Sequence, residues 1–265
     1  MPFPETPRVI YRKNPLAEVI CQLRFPPILR IDSELPAAFQ ERIRADYPHY
    51  TESVRPSLKI PPNAPAEVVK LLQSVAAQGA PAGHEFGAAD KNWTVTLTRD
   101  FLALRTTAYE RWEAFHPRID RLLSALTTEY KPSFFTRIGL RYVDVIRRSE
   151  LGLGDTPWAD LLNPYVAGEL ASPDIGGEID TAVRETLLRF DDDGGRVMIK
   201  HGLATVETEK EPCFAIDADF FVEGEMETIN AITILDRFNQ GAGRLFRWCI
   251  DDQLHEALEP DEIGA

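Results

Sequence analysis

The chain has 265 residues, 44% hydrophobic and 27% charged, with a formal net charge of −13. That composition suits a globular protein with a sizeable core and excludes fibrous or low-complexity classes. No run approaches the roughly 20 apolar residues of a membrane-spanning helix, and MPFPETPRVIYRKNPLAE lacks the apolar stretch of a secretory signal, so a soluble, cytoplasmic protein is expected.

The charge is unevenly placed. Residues 1–150 hold 21 Lys/Arg and 17 Asp/Glu, a net +4, whereas residues 151–265 hold 8 and 25, a net −17. An acidic half argues against general nucleic-acid binding, which rests on attraction to phosphate. It suits a protein partner with a basic surface, or plain solubility. Cys21, Cys213 and Cys249 are widely spaced, as buried free thiols of a reducing compartment would be. With no CxxC or Cys/His cluster, neither a metal site nor a cofactor is expected.

Taken in chain order, AEVICQLRFP (17–26) alternates as a strand, with Val19, Cys21, Leu23 and Phe25 on one face and Glu18, Ile20, Gln22 and Arg24 on the other. DSELPAAFQERIRADY reads as a helix with Ser33 as its N-cap and an apolar stripe of Phe39, Ile43 and Tyr47. Residues 52–66 read as a proline-rich loop and 66–77 as a short helix. HEFGA begins a strand, NWTVTLT (92–98) alternates strictly, and FLALRTTAY (101–109) returns after an Arg99-Asp100 turn. Residues 110–130 repeat Trp112, Phe115, Ile119, Leu122, Leu123 and Leu126 at helical spacing, with a kink or a later start expected at Pro117. A strand over 134–147 follows, carrying most of RIGLRYVDVIRR (137–148).

Residues 149–176 read as a polar connection in which Trp158 is the best candidate for an exposed contact. EIDTAVRETLLRF, RVMIKHGLATVE and PCFAIDADFF read as three further strands, with DDDGG (191–195) a hairpin turn rather than a calcium loop. A helical pattern spans about Met226 to Leu258, with Gly241 and Gly243 marking a bend or break. Two β-β-β-α halves, 1–148 and 177–265, are expected to form one α+β domain over 1–265. Its large, mainly antiparallel sheet carries helices on one face and ends in a long C-terminal helix.

NPLAEVICQLRF, the run WTVTLTRDFLALRTTAYERWEAF and RIGLRYVDVI together resemble a sporadically distributed bacterial family of about this chain's length. The resemblance implies no activity and no catalytic residue. The family's patchy occurrence suggests accessory genes, such as mobile, defence or toxin-neutralising systems.

Strand parity singles out one constellation. Glu18, Gln22 and Arg24 share a face of the first strand, Arg137 and Arg141 share a face with Gly139 between them, and Asp217 shares a face with Asp219. Side by side, these residues would form a ladder of ion pairs on a solvated face, a protein interface, or a ligand site whose arginine forks hold phosphate or carboxylate. Asp144 has the parity of the apolar face and therefore needs a partner, a strand end or a bulge. GLGDTP and GAGRLF lack the full dinucleotide fingerprint. The five histidines show no metal spacing, and His255 lies one turn after Asp251, which could orient its imidazole. With no catalytic signature, the leading expectation is a non-catalytic interaction protein, an accessory or neutralising partner. The alternative is a small-molecule or nucleotide sensor, or an enzyme, using the charged face. Homodimerisation, basic half against acidic half, is compatible with both.

Overall fold

A computed structural model of the protein describes residues 1–53, 83–191, 193–205 and 212–262. The loop expected within 52–66 and the helix expected at 66–77 lie almost wholly outside those residues. The strands in chain order are β1 (Val9–Tyr11), β2 (Leu16–Arg24), β3 (His49–Ser53), β4 (Gly83–Gly87), β5 (Trp93–Leu97), β6 (Phe101–Thr106), β7 (Phe135–Ile146), β8 (Ala182–Arg189), β9 (Arg196–Thr205), β10 (Pro212–Met226) and β11 (Pro260–Glu262). Nine of them form one sheet in the order β3-β4-β5-β6-β2-β7-β10-β9-β8, and every neighbouring pair is antiparallel. The α+β architecture with a large antiparallel sheet is therefore as the sequence implies. β1 and β11 form a separate ribbon that joins the two ends of the chain.

Period-two patterning decides which face is dry. Trp93, Val95 and Leu97 of β5 are buried beside Val19, Cys21 and Leu23 of β2, Ile138, Leu140 and Tyr142 of β7, and Phe214, Ile216 and Phe220 of β10. On that face lie the long helices α3 (Trp112–Glu129) and α5 (Ala231–Cys249), with the shorter α1 (Arg30–Ser33), α2 (Ala37–Ile43), α4 (Pro164–Ala167) and α6 (Asp252–Ala257). Helix α3 docks Phe115 against Trp93, with ring centroids 5.7 Å apart, and its Trp112 indole donates to Asp236 of α5 at 2.7 Å.

Several local expectations are corrected. Ser33 ends the one-turn α1, and α2 starts at Ala37 after Pro36. Helix α3 starts at Trp112 and includes Pro117, so it does not begin after that proline. The C-terminal helix continues through Gly241 and Gly243 and breaks at Ile250–Asp251, where the Asp251 carboxylate accepts from the Asp252 N–H and starts α6. Trp158 is not an exposed contact. It is 6% exposed and packs on Phe214 with centroids 5.6 Å apart, under the Arg148 guanidinium. Leu161 and Leu162 beside it are fully buried, so the 149–176 connection contributes to the core.

Gly241 is needed for close approach. A Cβ there would meet the Phe190 ring at 2.4 Å and the Phe220 ring at 3.1 Å, while a Cβ on Gly243 would meet nothing within 4 Å. Gly241→Ala should therefore lower stability by about 1–3 kcal/mol through overpacking. Gly243→Ala should raise it by up to about 1 kcal/mol through helix propensity. Denaturant midpoints of the two variants check this opposite sign.

Candidate functional site

The face of the sheet away from the helices gathers the charged residues. β2, β7 and β10 are adjacent, with Arg141 opposite Ile20 on one side and Asp219 on the other, and Arg137 opposite Arg24 and Glu223. Glu18, Gln22, Arg24, Arg137, Arg141, Asp217 and Asp219 thus stand on three neighbouring strands of one face.

At its centre Arg141 donates two hydrogen bonds to Asp217, Nε to Oδ1 and Nη2 to Oδ2, both at 2.6 Å. The two side chains are only 9% and 4% exposed. Burial opposes the Arg141 charge, but attraction to Asp217 and the paired hydrogen bonds outweigh it and raise the guanidinium pKa. Arg105 of β6 donates to Glu18, and Lys200 of β9 reaches Glu185 of β8 at 2.7 Å. Asp217 and Lys200 are direct cross-strand partners. The result is a row of alternating sign across six strands: Arg105, Glu18, Arg141, Asp217, Lys200, Glu185. Burial pushes the Glu18 carboxyl above its ordinary pKa, with Arg105 pulling the other way.

A second row lies beside the first. Arg137 donates to Asp219 at 2.7 Å and to Gln22 at 3.5 Å, while Arg24 donates to the same Gln22 oxygen at 3.2 Å. Gly139 is what lets Arg137 lie flat, since a Cβ there would meet its Nη1 at 2.2 Å. The guanidinium also covers the Phe221 ring, 4.8 Å from its centroid. Burial raises the Asp219 pKa, with Arg137 and Arg141 opposing. This geometry matches a cross-strand ion-pair ladder, because each of these arginines donates to a carboxylate or amide of the same sheet.

The expectations for this face omitted Arg105, Lys200 and Glu185. Each alternates within a readable strand, so parity could have placed it on the charged face once the strand order was known.

Asp144 points to the apolar side, as its parity requires. The bulge it needs lies opposite, in β2, where the register shifts between Leu16 and Glu18. Its carboxyl has no hydrogen-bond or ion-pair partner among the described residues. Burial, reinforced by Asp217, pushes its pKa well above the carboxylate value of 3.8. Of the histidines, His84 is held between the Tyr50 hydroxyl and the Ile31 carbonyl, each at 3.0 Å, and His255 bonds Tyr11 rather than Asp251. The Asp191 carboxylate closes the β8–β9 hairpin by accepting from Gly195 N–H at 2.8 Å, and Arg237 of α5 faces Asp191 and Asp193. Among the described residues no group of three or more His, Cys, Asp or Glu is arranged to hold a metal, and no helix is long and apolar enough to cross a membrane.

No protein-family model and no curated protein sequence matches the chain. Among solved structures it is similar to the duplicated taurocyamine kinase of Schistosoma mansoni bound to transition-state analogue components, at 11% identity and a TM-score of 0.36. The match covers 87% of this chain and 32% of that one.

An unpartnered buried carboxyl has a definite pH signature. A carboxyl whose folded pKa is raised adds stability below its unfolded pKa and loses that contribution as pH rises through the folded value. Asp144→Asn should therefore raise the melting temperature at pH 8 and change it little near pH 4. A variant less stable than wild type at pH 8 would show that ionised Asp144 has a stabilising partner.

Proposed function

We propose that the protein acts by binding a protein partner with a basic surface, without catalysing a covalent reaction. In this reading it is a cytoplasmic accessory or neutralising protein of a mobile or defence-type bacterial system. The observation that carries the proposal is at the end of β10. Glu223, Glu225 and Glu227 are exposed there, and none has an ion pair among the described residues. The strand is irregular between Glu223 and Met226, with Gly224 at φ 132°, and the next turn presents Ile229 with 81% of its surface exposed. Exposed carboxylates without an ion pair, near in sequence to one exposed large apolar side chain, suit a basic surface that offers a pocket.

The charged rows fit this reading better than a ligand site. Arg141 and Arg137 are engaged by Asp217 and Asp219, so they would meet a phosphate or carboxylate only by giving up those pairs. Cys21, Cys213 and Cys249 are buried and form no disulfide among the described residues, which suits a reducing compartment.

Wild-type protein and a Glu223→Lys/Glu225→Lys/Glu227→Lys variant should be compared in affinity capture from the native host. The wild type should recover a partner near stoichiometry, the variant should not, and capture should weaken with salt. Equal recovery by both would overturn the proposal. Sedimentation of the pure protein at low and high salt distinguishes a second copy, offering its basic-leaning half, from a different protein.

A further inference from the structure

A cleft of about 350 Å³ opens between the N-terminal segment and the end of α5. Its walls include Pro4, Asn163, Arg244, Arg247, Trp248 and His255. The volume lies in the range of small-molecule sites, roughly 300–1,000 Å³. The segment forming the outer wall is fixed at both ends: Phe3 is buried against Trp248, with centroids 5.8 Å apart, and β1 pairs with β11.

The polar groups lining this cleft are mostly donors. Arg244 and Arg247 are three residues apart on α5 and therefore share a helix face. The Asn163 side-chain oxygen accepts from the Tyr165 N–H, which leaves its amide N–H groups as the free polar end. Tyr11 bonds the Nδ1 of His255 at 2.8 Å. Burial raises the Tyr11 pKa, so the phenol keeps its proton. Burial, with the nearby Arg247 charge, lowers the His255 pKa and favours the neutral ring.

The two guanidinium groups are only loosely neutralised. Arg244 lies 3.5 Å from Glu5, which is 89% exposed, and Arg247 pairs with Asp252, which is 84% exposed. Arg247 also donates to the Ile250 carbonyl at 3.0 Å. The contrast with Arg141 is direct, since there both partners are buried and both fork positions are filled. A solvated carboxylate is displaced at little cost by a ligand oxyanion that brings additional contacts.

We propose that this cleft binds a small organic oxyanion, a carboxylate or phosphate monoester, with Arg244 and Arg247 on the anionic group and Trp248 against the organic part. Glu5 then acts as an internal competitor that holds Arg244 until the ligand arrives. The site is on the helix side of the sheet and does not depend on the acidic end of β10, so the two proposals stand or fall separately.

Titration calorimetry of the full chain with inorganic phosphate, phenyl phosphate and benzoate tests this. Binding of phenyl phosphate or benzoate is expected. Phosphate alone should bind more weakly than phenyl phosphate if Trp248 contributes, and the relative affinities of phenyl phosphate and benzoate identify the preferred anion. Arg244→Ala/Arg247→Ala should weaken binding by at least about tenfold, the loss expected for a charge-assisted hydrogen bond. Glu5→Gln should tighten it by removing the competitor, an effect that a purely structural Arg244–Glu5 pair would not produce. Should the double arginine variant fail to fold, Glu5→Gln decides the question. No heat with any probe at millimolar concentration, or unchanged affinity in Glu5→Gln, would overturn the inference.

Discussion

The bidentate pair between Arg141 and Asp217 is the constraint around which the sheet is organised. Both groups are almost wholly withdrawn from water, where an unpaired charge would cost several kcal/mol. They satisfy each other only if β7 and β10 keep their register, with Asp219 opposite Arg141 and Asp217 opposite Val143. A slip of one residue would turn Arg141 into the apolar core and bring Leu140 or Tyr142 out. Glu18 and Lys200 extend the same logic to β2 and β9. The alternating row thus specifies which strands are neighbours and in what alignment, across the span where apolar side chains alone would tolerate sliding.

The opposite face is held by a different principle. Large rings, among them Phe190, Phe220 and Phe238, fill the space under α5, and Gly241 allows the helix to sit on them. Asp144 is the exception on that side, a carboxyl placed among Tyr142, Cys249 and Tyr11 with no partner among the described residues. The bulge in β2 beside it is the local irregularity that accompanies this misfit. The sheet therefore carries paired charges on one face and, on the other, a buried acid whose ionisation is disfavoured.

Much of this was legible from period and parity. β2, β5, β7 and β10 alternate cleanly, so both their existence and the sidedness of Glu18, Arg141 and Asp217 could be read directly. The charged face could be described but its pairings could not, because Arg105 and Lys200 become neighbours of the central strands only through the strand order, which is a long-range fact. Burial of Trp158 is not legible in sequence, because a stretch rich in glycine, proline and acids looks like a solvated linker, yet its Leu161, Leu162 and Trp158 are buried in the core. The glycines of α5 suggested a break because their role as points of close approach depends on rings contributed by other strands. The cleft had no signature at all, since the docking of residues 4–9 against α5 leaves no periodic mark.

The binding proposed at the acidic end of β10 relies on a correctly registered sheet, because that strand end extends from the β7–β10 ladder. The most direct test of that account is a double-mutant cycle on Arg141 and Asp217, with Arg141→Met, Asp217→Leu and both together, measured by denaturant unfolding. Each single change leaves a buried charge unpaired and should cost about 3–5 kcal/mol, whereas the double variant should recover most of that loss. Single variants within about 0.5 kcal/mol of wild type, or a double variant equal to their sum, would contradict the claim that this pair sets the register of the sheet.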